Sequence, residues 1–247
     1  MPNQSSYYEN HSSMTHPRIV SAMARYGQFC PVAKAAELLG ERWTLLIVRE
    51  LLFGSTRYAD LQRGLGRISP SVLSQRLKAL CEAGVVVKHK ALPGGTEYLL
   101  TQCGRELMPL VEMAGTWGQR WTRSRMSADE LDLDLLMLEL ERSIDPRLLP
   151  DHTVVGITFT DQAARFKRRW LLIDDGEVDV CTDFPGREPL LELKATLRAL
   201  TQIWMGDIGL EEALDRGVLR YEGPEKYRIN AKQWLGLSRL THVASAI

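Results

Sequence analysis

Hydrophobic positions recur at intervals of three and four through residues 31–83, give way to a hairpin pattern over 85–101, and resume helical spacing over 103–123. Residues 31–39 predict a first helix. Its opening Pro31 lacks only an amide donor that would be unpaired there anyway, and Gly40 stops it. A second helix over 43–52 carries Trp43, Leu45, Leu46, Ile47, Val48 and Leu51; with so little polar surface it belongs inside a small core. A short third helix turns Tyr58, Leu61 and Leu65 inward, and 64–67 form a turn. The fourth, over 70–83, opens with Ser69 as an amide-accepting cap and Pro70 in the first turn. Leu73, Leu77 and Leu80 form its buried stripe. Ser71, Ser74, Gln75 and Lys78 line another face, with Arg76 at the border. Two short helices joined by a tight glycine-containing connection meet the requirement for a helix-turn-helix.

The hairpin runs from Val85, Val86 and Val87 through Lys88, His89 and Lys90, turns at Pro93, Gly94 and Gly95, and returns over 97–101. It reads as a wing, whose Lys88 and Lys90 would add salt-sensitive attraction to a phosphate backbone. His89 reads either as a phosphate contact or as a plain exposed strand residue. In the helix over 103–123, Leu107, Leu110, Val111, Ala114, Trp117 and Trp121 form one stripe. Two tryptophans near its end favour a partner helix, so Leu107, Leu110, Val111, Trp117 and Trp121 are the expected dimerisation residues.

Beyond residue 126 the pattern changes. Ser127 and Glu130 match a capping box opening an acidic, leucine-rich helix through about Ser143. Strands follow over 153–160, 168–173 and 177–182, the last two joined by Asp174, Asp175 and Gly176. A helical run is expected over 190–203 and a second over 210–216. The fold class is therefore α+β: a tail over 1–25, a winged helix-turn-helix domain over 26–125, a helical linker over 126–150, and an antiparallel sheet covered by helices over 151–247.

Net charge is zero, but residues 1–125 hold 16 Lys and Arg against 9 Asp and Glu, giving +7, and the remainder holds 15 against 22, giving −7. The first half suits a phosphate partner and the second is repelled by one. None of Cys30, Cys81, Cys103 and Cys181 stands at CxxC spacing, and no histidine pair has metal-ligand spacing, so free thiols and no metal are expected. There is no GxSxG, no glycine-rich phosphate cradle and no paired acid and base, so neither catalysis nor a cofactor is expected. No apolar run approaches 18 residues and the start is polar, which predicts a cytoplasmic protein without a membrane partner.

Cys30-Pro31-Val32, then Leu39-Gly40-Glu41-Arg42-Trp43-Thr44-Leu45-Leu46-Ile47, Arg57-Tyr58-Ala59-Asp60-Leu61, Ile68-Ser69-Pro70-Ser71-Val72-Leu73-Ser74-Gln75-Arg76-Leu77, and Glu97-Tyr98-Leu99-Leu100-Thr101 closely resemble the HxlR-type winged-helix regulators. The resemblance implies a homodimer on a near-palindromic operator in double-stranded DNA. It places the helix opened by Ser69 in the major groove, with Ser71, Ser74, Gln75 and Arg76 in the reading role and Lys78 beside them. Some members of that family sense oxidants through a cysteine matched here by Cys30; the same Cys-Pro-Val start also occurs in members that do not.

The second half is similar to the sterol carrier protein type two fold, through Trp170-Leu171-Leu172-Ile173, Glu177-Val178-Asp179-Val180, the helix around 190–200, and the passage from Glu212-Ala213-Leu214 to Gly217-Val218-Leu219. That resemblance implies an apolar cavity for a lipid-like molecule, lined here by Phe159, Trp170, Leu197, Leu200, Ile203, Trp204 and Met205, residues that equally close an ordinary core. Two functions follow: a regulator controlled by an apolar or aromatic small molecule, or a constitutive regulator whose second domain stabilises a dimer or binds a protein.

Overall fold

The computed structural model describes residues 26–91, 94–122, 127–244 and 246. The expected tail over 1–25, Pro93 of the wing turn and the end of the 103–123 helix lie outside them. The chain divides into two compact units, one up to Gln62 and over Ile68–Met108, the other over Arg63–Arg67 and from Pro109 onward.

In the first unit, α1 (Pro31–Leu39), α2 (Thr44–Leu52), α3 (Tyr58–Gly64) and α4 (Pro70–Glu82) precede a two-stranded sheet and the one-turn helix α5 (Gln102–Arg105). The sheet is antiparallel, β1 (Val86–Lys90) against β2 (Thr96–Leu100), with Lys88 opposite Tyr98 and Lys90 opposite Thr96. Leu73, Leu77 and Leu80 of α4 are buried with Ile47, Val48 and Leu51 of α2 and Leu61 of α3. Ser69 caps α4 as its spacing predicts, its Oγ accepting from the Val72 amide at 3.4 Å. Trp43 is a correction. It stands outside α2 as a left-handed cap with φ 77°. A bulky residue there carries a local backbone cost of about 1–3 kcal/mol, which the surrounding packing has to hold.

The helix expected over 103–123 is two helices, because α5 ends at Arg105 and α6 spans Met108–Trp121. Gly104 of α5 is buried where a Cβ would collide with the Val85 carbonyl and the Leu100 side chain, which seats the short helix tightly on the hairpin.

In the second unit, α6 packs one side inward: a Cβ on Gly115 would lie 3.1 Å from Leu240, and Gln119, buried, donates to the Met205 carbonyl at 3.4 Å. The capping box is half formed. Glu130 accepts from the Ser127 amide at 2.5 Å but encloses only a single 3-10 turn over Ala128–Glu130. The helix itself, α7 (Leu133–Ser143), starts on Asp132, whose carboxylate accepts from the Leu135 amide. Leu136, Met137 and Leu140 of α7 belong to the main core, so this segment is part of the domain rather than a linker.

The sheet order is β5 (Glu177–Cys181), β4 (Arg168–Asp174), β3 (Thr153–Phe159), β6 (Leu191–Ala195), β7 (Arg220–Glu222). It is mixed, since β3 and β6 run parallel and the other pairs antiparallel. This corrects two expectations, an all-antiparallel sheet and a continuous helix over 190–203. Leu191, Leu193 and Ala195 alternate with Glu192 and Lys194, a period of two that buries one face of a strand, and the helix α8 (Leu197–Met205) begins only after Thr196 caps it. The shorter α9 (Leu210–Asp215) follows as expected. Val155, Ile157 and Phe159 of β3, Leu171 and Ile173 of β4 and Leu191 and Leu193 of β6 face α7, α8 and α9 in one core.

Candidate nucleic-acid interface

Helix α4 owes its two faces to its sequence spacing: the leucines are buried, while Ser71, Ser74, Gln75 and Lys78 are exposed. Ser71 shares a hydrogen bond with the capping Ser69 at 3.2 Å. The Tyr58 hydroxyl donates to the Pro70 carbonyl at 2.7 Å and lies 3.2 Å from Ser74 Oγ, so α3 fixes the first turn of α4 at a set spacing. Gln75 presents an amide with both donor and acceptor to solvent, the chemistry suited to an adenine edge. Lys78 is exposed, 3.8 Å from Glu82 one turn on.

Arg76 is a correction. Its Nη2 lies 2.6 Å from the Glu41 carboxylate and its Nε donates to the Arg42 carbonyl at 3.1 Å, leaving the side chain 16% exposed. The guanidinium clips α4 to the turn before α2 instead of projecting from the exposed face. Its border position in the helical pattern was legible, but the partner 35 residues upstream was not.

On the wing, Lys88, His89 and Lys90 are exposed, and Lys88 and Lys90 share one side of β1. Arg57, absent from the sequence-based set, bridges Glu97 through the backbone just ahead of α3, and the Tyr98 amide donates to the Thr56 carbonyl at 2.8 Å. An exposed cation thus sits beside the returning strand, although nothing local in the sequence pairs 56–57 with 97–98.

Of the expected dimer residues, Leu107 and Val111 are half-buried, while Leu110, Trp117 and Trp121 are 45%, 59% and 47% exposed. Met113, not anticipated, is exposed on the same helix. Cys30 is half-buried at the residue before α1. Burial pushes the Cys81 and Cys181 thiols up, away from thiolate.

The residues expected to line a cavity do not share one face. Phe159, Leu197, Leu200 and Ile203 are core side chains with Trp204 packed against them. Met205 is half-buried at the end of α8. Trp170 is on the other face of the sheet, because it pairs with Gly156 while its neighbour Leu171 pairs with Val155 on the core side. Sequence reasoning also missed Asp151, His152 and Asp174, whose ligand-type atoms lie within 4.8 Å of one another. His152 Nδ1 is 2.7 Å from Asp174, a hydrogen bond that raises its pKa, and Arg187 beside Asp174 holds that carboxyl below the usual range. Arg187 already supplies this cluster with a cation.

A capped helix with an exposed polar face, a preceding short helix at fixed spacing and a basic two-stranded wing define a winged helix-turn-helix, a DNA-binding class. The profile of the HxlR-like helix-turn-helix family matches residues 38–126. YvaP of Bacillus subtilis, an HTH-type transcriptional regulator, is 38% identical over 97 residues, which are 38% of this chain and 90% of YvaP. The chain belongs to the HxlR-like helix-turn-helix family.

Rv3095 of Mycobacterium tuberculosis, also an HTH-type transcriptional regulator, is 44% identical over 92 residues, 36% of this chain; the match spans 58% of that relative's length. The reduced form of the transcriptional regulator YodB from B. subtilis aligns at 27% identity over 40% of this chain and 100% of that one, with a TM-score of 0.35. Among the described residues no helix is long and apolar enough to cross a membrane.

Proposed function

We propose that the protein is a sequence-specific, non-enzymatic transcriptional regulator that binds a near-palindromic operator as a homodimer and whose second domain, resembling the sterol carrier protein type two fold, takes a small-molecule effector. The observation that carries the DNA reading is the exposed face of α4, where Ser71, Ser74, Gln75 and Lys78 stand free of the core on a helix whose first turn is capped by Ser69 and held by Tyr58. Lys88 and Lys90 supply the backbone attraction. Dimerisation through α6 is supported by its unburied Leu110, Met113, Trp117 and Trp121. Two copies would then present two α4 helices to half-sites one helical turn apart.

Selection of random duplexes followed by binding measurements tests the reading. Gln75→Ala should lose about 1–3 kcal/mol on the selected operator and little on scrambled DNA. Lys88→Ala should weaken both alike and lower the salt slope by about 1. Parent-like discrimination in the Gln75 variant removes α4 from base reading.

A further inference from the structure

The face of the second sheet opposite Phe159 and Leu171 holds two buried polar atoms without partners. In the row Cys181–Trp170–Gly156–Glu192–Glu222, set by the strand register, Trp170 and Glu192 flank Gly156 on either side. Trp170 is 7% exposed and its Nε1 has no hydrogen-bond acceptor. Glu192 Oε1 pairs with Arg168, but Oε2 is buried without a donor. The other buried tryptophan shows the usual outcome: Trp234 Nε1 donates to the Tyr227 carbonyl at 2.7 Å.

These groups converge over Gly156. A Cβ there would lie 2.6–2.9 Å from the Glu192 carboxylate atoms, so glycine is what allows the carboxylate to lie flat across the strand toward Trp170. Arg168 joins them, its guanidinium carbon 5.4 Å from the Trp170 ring centre. The segment between β5 and β6 closes the row with Phe184, edge-on to Trp170 at 6.1 Å and 53% exposed. A donor on β4 and an acceptor on β6, each buried and unmet on either side of Gly156 of β3, ask for one group that accepts and donates side by side.

We infer that this face, rather than the apolar core, holds a small-molecule site, and that its ligand carries a carboxamide-type group on an aromatic body. The amide carbonyl accepts from Trp170 Nε1, the amide N–H donates to Glu192 Oε2, and Phe184 swings aside to admit the ring. A carboxylate in the same place meets Glu192 with like charge and no proton to offer. The site deepens the effector reading and rests on it only in that the second domain takes a small molecule.

The test uses the full chain without operator, with indole nitrogens labelled, benzamide as probe, and benzoate as its isostere. Trp170→Phe, which keeps a ring and removes the donor, assigns the Trp170 indole signal. That signal should shift saturably with benzamide at a Kd on the order of 1 mM. Benzoate should bind about ten-fold more weakly or worse. Saturation-transfer measurements should show benzamide affinity falling about five-fold or more in Trp170→Phe and in Glu192→Leu. An indole signal unmoved by benzamide overturns the site, leaving operator recognition by the first unit standing. Equal binding of benzoate, or benzamide affinity unchanged in Trp170→Phe, overturns it as well. Benzamide that binds here but leaves operator affinity unchanged overturns the effector reading while the site stands.

Discussion

Gln75 and Arg76 are adjacent in α4, and both read from sequence as groove-facing groups, yet they serve different ends. Gln75 is exposed, whereas Arg76 meets Glu41 and the Arg42 carbonyl. Arg76→Ala should therefore lower the stability of the parent fold by about 1–2 kcal/mol, part of the pair's attraction being screened at its exposed edge. Gln75→Ala should leave stability within about 0.5 kcal/mol. Denaturant unfolding of the two variants checks this, and an Arg76 variant with parental stability and lost operator preference would show that the guanidinium leaves Glu41 to read DNA. The helical period placed both residues correctly on the helix. It carried no information on Arg76's partner, because a long side chain at the border of two faces takes whatever the fold brings within reach.

At the scale of the element, α6 has two faces with different fates. Gly115 and Gln119 are turned into the second unit, and Leu110, Met113, Trp117 and Trp121 leave a stripe of large apolar side chains uncovered. A stripe of this kind marks an interaction surface. Trp117→Ala with Trp121→Ala should weaken the dimer by about 2–4 kcal/mol, with sedimentation equilibrium as the direct measure, and a parent that is monomeric at micromolar concentration refutes the assignment. The stripe was legible from spacings of three and four, Met113 apart. Its counterpart, the failure to find β6, came from the opposite situation: a five-residue strand followed at once by an apolar helix presents a run in which the two periods overlap, and only the cap at Thr196 marks the boundary.

For the whole molecule, control of DNA binding by the second domain requires two states that the effector and the operator favour unequally. An effector of this protein should shift operator affinity by about 5- to 150-fold, and operator must shift effector affinity by the same factor. Binding titrations of each in the presence and absence of the other measure both factors. Equal affinities in all four arms reduce the second domain to a carrier or a dimer stabiliser, the alternative that its acidic, well-packed composition also accommodates.

Sequence alone determined the elements whose signals are local: the cap and two faces of α4, the hairpin, the presence of a leucine-rich helix ending at Ser143 and the apolar stripe of α6. Each is a matter of period and turn chemistry over a few residues, and the family resemblance rests on the same short stretches. Tertiary structure decided what depends on register and on distant partners. Sheet pairing put Trp170 opposite Gly156 and thereby on the face away from Phe159 and Leu200, since neighbouring strand residues point to opposite sides. It also brought Glu192 across Gly156, tied Arg76 to Glu41, and joined Asp151, His152 and Asp174. Apart from the neighbours Asp151 and His152, the residues joined in this way are far apart in the chain, so no local pattern records them.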